Sequence, residues 1–147
     1  MAKVSVYLNF TRSTEEAFNF YKSIFGTEFL GDGIMRFKDI PPSDDMPPLP
    51  EADKYLVMHV ALLILNGFVL MGSDAPESMG FNVNAGNNVY INLETDSKEE
   101  TNKLFKALSA GGKVEQELQD MFWGAYYGSC RDKFGVQWMF NFEQRGQ

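Results

Sequence analysis

Apolar and polar positions alternate with two different periods along this chain, and the order of those periods occurs twice. Val4 to Phe10 is a short β-like run. Ser13 then opens a helix, its hydroxyl placed to accept from the backbone N–H three residues on while Glu16 reaches back, a capping box. Ala17, Phe20, Tyr21 and Ile24 follow at helical spacing and predict one apolar face. Gly26 stops the helix. Thr27 to Phe37 reads as one extended stretch, bent at Gly31 or Gly33. Pro41 to Asp53 carries five prolines and four acids. Prolines lack the N–H that helices and central strands need, so this is a surface loop. Tyr55 to Leu65 is a strongly apolar strand, and Phe68 to Met71 is its return. Asn66-Gly67 between them is a hairpin turn, since both residues tolerate positive φ.

After a connection rich in Gly, Asn, Asp and Ser, from Ser73 to Asn88, the plan repeats. Val89 to Thr95 is a strand, Ser97 caps a helix with Glu100, and Leu104, Phe105 and Leu108 form its apolar side. Gly111-Gly112 ends it. Lys113 to Leu118 is a strand, and Phe122 to Arg131 with Val136 to Phe142 is a hairpin turned at Asp132-Lys133-Phe134-Gly135. The repeat reaches individual residues. Thr11, Ser13, Glu15, Glu16 and Lys22 recur as Thr95, Ser97, Glu99, Glu100 and Lys106, each offset by 84 positions (Ser13 to Ser97). Solenoid repeats are about 20–50 residues long, so this is one supersecondary module present twice. Each copy reads β-α-β-β-β. The expected fold is therefore α+β: two βαβββ modules with mostly antiparallel strands, each helix covering one sheet face. The expected organisation is a single domain over 1–147, with module one at about 1–73, the connection at about 74–87 and module two at about 88–147. A paired-module fold places a ligand cleft between its halves.

Composition narrows the function. The net charge of −7 and pI near 4.7 disfavour nucleic acid, which demands a basic face. They disfavour an anionic membrane for the same reason. The plain reading of the acidity is solubility. Thirteen Phe residues are many, and they fill a core or line an apolar pocket. Cys130 is alone, so an intramolecular disulfide is impossible. No basic-then-apolar signal stretch and no apolar run of about 20 residues occurs, so the expected setting is the cytoplasm.

An ordered set of residues carries a family resemblance. It comprises Glu15-Glu16-Ala17-Phe18, Phe20-Tyr21, Phe25-Gly26, Met58-His59 and Leu70-Met71-Gly72-Ser73-Asp74. At the far end are Phe122-Trp123-Gly124, Tyr127-Gly128 and Asp132-Lys133-Phe134-Gly135-Val136-Gln137-Trp138. Over nearly the whole chain this resembles the vicinal oxygen chelate superfamily of glyoxalase I, extradiol dioxygenases and bleomycin-resistance proteins. The nearer branch is the PhnB-like one, whose members often carry the name 3-demethylubiquinone methyltransferase domain. The resemblance implies two modules forming a curved sheet around a concave pocket, and commonly a homodimer. In the superfamily's enzymes four strand positions ligate a divalent metal, which acts as a Lewis acid. By that resemblance the positions fall here near Val6 or Tyr7, at Leu70 or Met71, at Tyr90 and at Met139. None is a His, Glu or Asp, the donors such a cation wants. No metal and no cofactor are therefore expected, and glyoxalase or dioxygenase chemistry is put in doubt.

The pocket candidates are Tyr7, His59, Met71, Tyr90, Asn92, Trp123, Tyr127, Trp138 and Met139. His59, the only histidine, is either a base or donor in a pocket or a hydrogen-bonded residue of an apolar strand. Tyr90, Asn92 and Glu94 alternate with Val89, Ile91 and Leu93, so they face a ligand or solvent. Trp123, Tyr126, Tyr127, Trp138 and Phe140 form an aromatic wall or pack beneath the second helix. Met35, Met71, Met121 and Met139 fill core or line a pocket. Cys130 has no adjacent base and is a poor nucleophile candidate. Both glycine turns end helices, whereas adenosylmethionine enzymes of the common type open a helix with one, so a methyltransferase is not expected. The expected function is metal-independent binding of an unknown small molecule. The alternative is an enzyme, either a lyase or isomerase using His59 and Tyr90 or a metal-dependent member of the superfamily.

Overall fold

The computed structural model describes residues 1–41, 43–45 and 47–144. The chain divides into two compact units, Met1–Val83 and Asn84–Gln147. The first unit contains β1 (Val6–Phe10), α1 (Thr14–Phe25), β2 (Met35–Arg36), β3 (Val57–Leu63) and β4 (Val69–Asp74). The second contains β5 (Ile91–Glu94), α2 (Lys98–Ser109), β6 (Lys113–Asp120), β7 (Ala125–Arg131) and β8 (Gln137–Glu143). Both sheets have one topology, β1-β4-β3-β2 and β5-β8-β7-β6. In each, the opening strand lies parallel to the last and the remaining neighbours are antiparallel. The α+β class and the doubled βαβββ plan are thus what the chain adopts. Where one curved sheet was implied, the hydrogen bonding runs in two four-stranded sheets, because each module completes its own ladder.

Helix α1 rests on its sheet through Thr14, Ala17, Phe18 and Tyr21, all buried. The predicted face named Phe20 and Ile24, which are only half-buried. The stripe begins at Thr14 and runs at i, i+3, i+4 and i+7, so Phe18 displaces Phe20 from the interface. Phe18 and Tyr21 meet edge to face with centroids 5.7 Å apart, above fully buried Val60, Leu62 and Leu70. Each such side chain removed from water contributes about 1.5–3 kcal/mol. Gly72 on β4 permits the close seat, since a Cβ there would lie 2.6 Å from the Phe18 ring. Helix α2 repeats the arrangement with Leu104, Phe105 and Leu108 over buried Trp138 and Phe140. Phe105 and Phe140 pack edge to face at 5.2 Å.

The two helices start differently. Ser97 behaves as predicted, its Oγ accepting from the Glu100 N–H at 3.0 Å. The Glu100 carboxylate reaches one residue further back than expected and accepts from Asp96 N–H at 2.9 Å. Ser13 makes no capping hydrogen bond, contrary to the capping-box reading. The Thr14 N–H is taken instead by the buried Asp74 carboxylate at 3.1 Å, delivered from the end of β4. The other Asp74 oxygen accepts from Val57 N–H at 2.8 Å, so one side chain ties helix, entering strand and leaving strand.

Asn66 and Gly67 have φ of 52° and 76°, and the predicted turn closes β3 onto β4 through Ile64 N–H to Phe68 O at 2.8 Å. The stretch Thr27 to Phe37 is extended only in part. Phe29 bridges Leu62, a break with left-handed glycines at 31 and 33 follows, and β2 is two residues long. The described residues of the proline-rich segment form no strand or α-helix, and it ends in a 3-10 turn at Glu51–Asp53. Arg12 ties that turn down, donating to Asp53 at 2.9 Å and to Glu77 at 2.8 Å. Among the described residues no helix is long and apolar enough to cross a membrane.

Candidate functional site

Pleating gives each sheet one face beneath its helix and one face free of it. In the first unit the free face carries Tyr7 from β1 and Met71 from β4, which sit opposite each other in the ladder. Met71 also pairs with Ala61 on β3, two positions from His59, and His59 pairs with Met35 on β2. The Tyr7 phenol reaches across β4 to His59, with Oη 3.3 Å from Nδ1 and ring centroids 5.8 Å apart. Three of the predicted residues, Tyr7, His59 and Met71, are therefore brought together from three strands. Beside them Ser73 Oγ donates to Asn9 Oδ1 at 3.3 Å. Tyr7 is 46% exposed and His59 half-buried, so the pair is packed yet reachable.

In the second unit Asn92 and Met139 form a rung between the opening and last strands, with Asn92 exposed. Ser129 lies opposite Met139 and Tyr127 opposite Asn141 on the same face. Tyr90 stands just before β5 and donates its phenol to Glu115 at 2.7 Å. That hydrogen bond to a carboxylate, and then burial, raise the Tyr90 pKa above its ordinary value. Trp123 is not on a strand face. It sits in the β6–β7 turn, half exposed, edge to face with Phe122 at 4.9 Å.

Trp138 is a correction. It is fully buried on the helix side, where it pairs with Cys130 and donates Nε1–H to Asp132 at 2.9 Å. A side chain held there cannot line a pocket on the other face. Phe140 is core for the same reason, and Tyr126 turns toward α2 to donate to Asn102 at 2.6 Å. Of the predicted aromatic wall, only Tyr127 lies on the free face. Sequence periodicity could not separate these, because aromatic residues fall at consecutive positions on both parities of the hairpin.

Three buried or partly buried polar groups were not foreseen. Asp74 has been described. Asp132 accepts from Phe134 N–H, Val136 N–H and Trp138 Nε1–H and so fixes the last hairpin turn. Asp53 is 1% exposed; hydrogen bonding from Ser78, then from Arg12, holds its carboxyl below the usual range. Cys130 is fully buried, and burial pushes its thiol up to about 12, with Asp132 and Glu115 adding to the effect. A thiol so placed is inert at neutral pH.

A concavity of about 680 Å³ lies elsewhere, between Phe37, Ile40, Pro47, Leu49 and Tyr55. Its lysines are already paired, Lys38 with Asp39 at 3.2 Å and Lys54 with Glu51 at 2.8 Å. It offers no uncompensated cation to a ligand.

The superfamily resemblance raises the question of a divalent metal. The implied positions, Val6 or Tyr7, Leu70 or Met71, Tyr90 and Met139, present aliphatic groups, phenols and thioethers. Hard or borderline cations take carboxylate or imidazole donors, so these positions do not fit one. Among the described residues no group of three or more His, Cys, Asp and Glu gathers to hold a metal. Nor does either strand-to-helix turn contain a glycine: Thr11-Arg12-Ser13 leads into α1 and Thr95-Asp96-Ser97 into α2.

Known proteins share this fold. Residues 2–140 match the family described as 3-demethylubiquinone-9 3-methyltransferase. The chain is 27% identical over 143 residues to Protein YjdN of Escherichia coli, covering 94% of this chain and 93% of that one. The crystal structure of PA1353 from Pseudomonas aeruginosa is 33% identical, covers 99% of this chain and 100% of its own, and superposes with a TM-score of 0.81. A PhnB protein from Bacillus cereus is 25% identical, with 96% and 99% covered and a TM-score of 0.72. More distant glyoxalase/bleomycin resistance/dioxygenase structures share the fold. With the doubled βαβββ plan and a match over nearly its whole length, the chain belongs to the 3-demethylubiquinone-9 3-methyltransferase family, in the fold that glyoxalase/bleomycin resistance/dioxygenase structures share.

Proposed function

We propose that this protein binds a small molecule without a metal, on the helix-free sheet faces, and acts as a cytoplasmic homodimer. The observation that supports the reading most is the Tyr7–His59 contact at 3.3 Å beside Met71. Pockets for small ligands are mostly apolar with a few convergent polar groups, and this face has that character. A phenol and an imidazole orient the ligand through hydrogen bonds, while the thioethers of Met35 and Met71 adapt to its apolar part. The ligand is accordingly modest in size, part aromatic or apolar, with at least one hydrogen-bonding group. The dimer rests on the superfamily resemblance.

A thermal-shift screen of a small-metabolite library, run with and without zinc, nickel and manganese, tests the reading. Stabilisation by a compound in chelator is the expected result, since a ligand selective for the folded state raises its melting temperature. Stabilisation by a divalent cation alone, abolished by chelator, sinks it. A mass measurement in dilute solution tests the dimer; a species of 16.7 kDa alone removes it.

A further inference from the structure

Tyr7 and His59 offer more than two hydrogen bonds. A phenol and a neutral imidazole in contact through Nδ1 can share their protons in two ways. In one, Tyr7 donates to Nδ1 and Nε2 carries a proton. In the other, Nδ1–H donates to Tyr7 Oη, the phenol proton is free to donate outward, and Nε2 presents a lone pair. Among the described residues none hydrogen-bonds to Nε2. The second arrangement sets an acid and a base side by side on one sheet face, each reachable by one ligand. The free-face side chains around them, Asn9, Ala61, Met71 and Ser73, are uncharged.

We propose that Tyr7 and His59 form a metal-free acid–base dyad that enolises a carbonyl compound bearing an α-hydrogen and an apolar flank. This rests on the binding reading above, because the substrate must occupy the same face. Nε2 takes the α-proton, and the C–H electron pair becomes the carbon–carbon double bond. The carbonyl π pair moves to oxygen, which receives the Tyr7 proton, and Tyr7 Oη takes the proton from Nδ1. The products are a neutral enol, a neutral phenol and a neutral imidazole in its other tautomer. No charge is created and no co-reactant is needed. Return of the proton from Nε2 to the same carbon exchanges or inverts it, and return to a neighbouring position isomerises the compound. Met35 and Met71, opposite His59 and Tyr7 in the ladder, provide the apolar wall that selects an uncharged substrate.

The test uses three carbon acids, phenylacetone, 2-tetralone and phenylpyruvate, in D2O with the full-length chain. Proton NMR follows loss of the α-hydrogen signal, and the His59 ring resonances report occupancy. The expected result is exchange faster than in buffer with at least one neutral ketone. Tyr7→Phe and His59→Gln should each reduce the acceleration about 100-fold or more, the range of a lost general acid or base. Urea midpoints of both variants guard against misfolding; Tyr7→Phe removes only one oxygen. Acceleration that survives both substitutions overturns the dyad. So does a probe that shifts the His59 resonances while its α-hydrogen exchanges at the buffer rate, an outcome that leaves the binding reading intact. Probes that neither bind nor exchange also overturn the dyad, and the metabolite screen then decides the binding reading separately.

Discussion

The two units share a topology and differ in how they secure it. In the second unit the helix start and the last turn are fixed locally. Ser97 caps α2 from three residues away, Thr101 Oγ1 donates to Ser97 O at 2.6 Å, and Asp132 fixes the turn that contains it. In the first unit they are long-range. Asp74 caps α1 from 60 residues away, Arg36 forks onto Glu15 at 2.8 and 2.9 Å, and Arg12 clamps Asp53 and Glu77. The same module can thus be held by its own sequence neighbours or by its finished fold. The free faces differ as well: the first carries a phenol–imidazole contact, whereas a rung of the second carries an amide and a thioether. Duplication supplied two scaffolds, and only the first unit's free face carries that acid–base pair.

Glycine substitutions should expose the largest difference. A Cβ on Gly112 would lie 2.2 Å from the Arg131 carbonyl oxygen, which is backbone and has nowhere to go. On Gly72 it would meet the edge of the Phe18 ring at 2.6 Å, which can tilt away. Gly112→Ala is expected to cost about 3 kcal/mol or more and Gly72→Ala about 1–3 kcal/mol, read by urea unfolding. Equal losses would show that the second unit is no stiffer at this point.

Caps come next. Asp74→Ala strands two buried N–H groups, Thr14 and Val57, and should cost about 2–4 kcal/mol. Ser97→Ala should cost about 1 kcal/mol, as loss of a single half-buried cap does. Amide hydrogen exchange sharpens the contrast. The first variant should release protection in both α1 and β3, the second only in the first turn of α2.

Acid should distinguish the units more gently. The Asp53 carboxyl is depressed by Ser78 and Arg12 and is nearly wholly buried. Asp120 in the second unit is depressed by Lys98 and Gln144 but sits on the surface. A folded-state pKa below the unfolded value of about 3.9 gives stability that is present above that pH and lost as the pH falls through the folded value. Asp53→Asn should therefore flatten the acid limb of the stability profile, and Asp120→Asn should flatten it less, because solvent screens an exposed pair. A larger flattening from Asp120→Asn reverses the assignment.

Some of the site was legible early and some was not. Strand periodicity placed Asn92 on the face opposite Leu93, and the hairpin and helix signals were local enough to read directly. Trp138 was misplaced because its neighbours Gln137 and Met139 are no more telling than itself, and only Asp132 accepting its Nε1–H fixes the parity. The Tyr7–His59 contact spans 52 positions and depends on β4 lying between β1 and β3. No local pattern carries that information.

The doubled βαβββ plan, the helix at Ser97, the Asn66-Gly67 turn and the family can all be read from the chain, because each depends on residues within a few positions or on their order. Tertiary structure alone decided the Asp74 cap, the burial of Trp138 and the meeting of Tyr7 with His59. A parallel pairing of first and last strands brings together side chains that share no local periodicity, and their hydrogen bonds exist only once the ladder has closed.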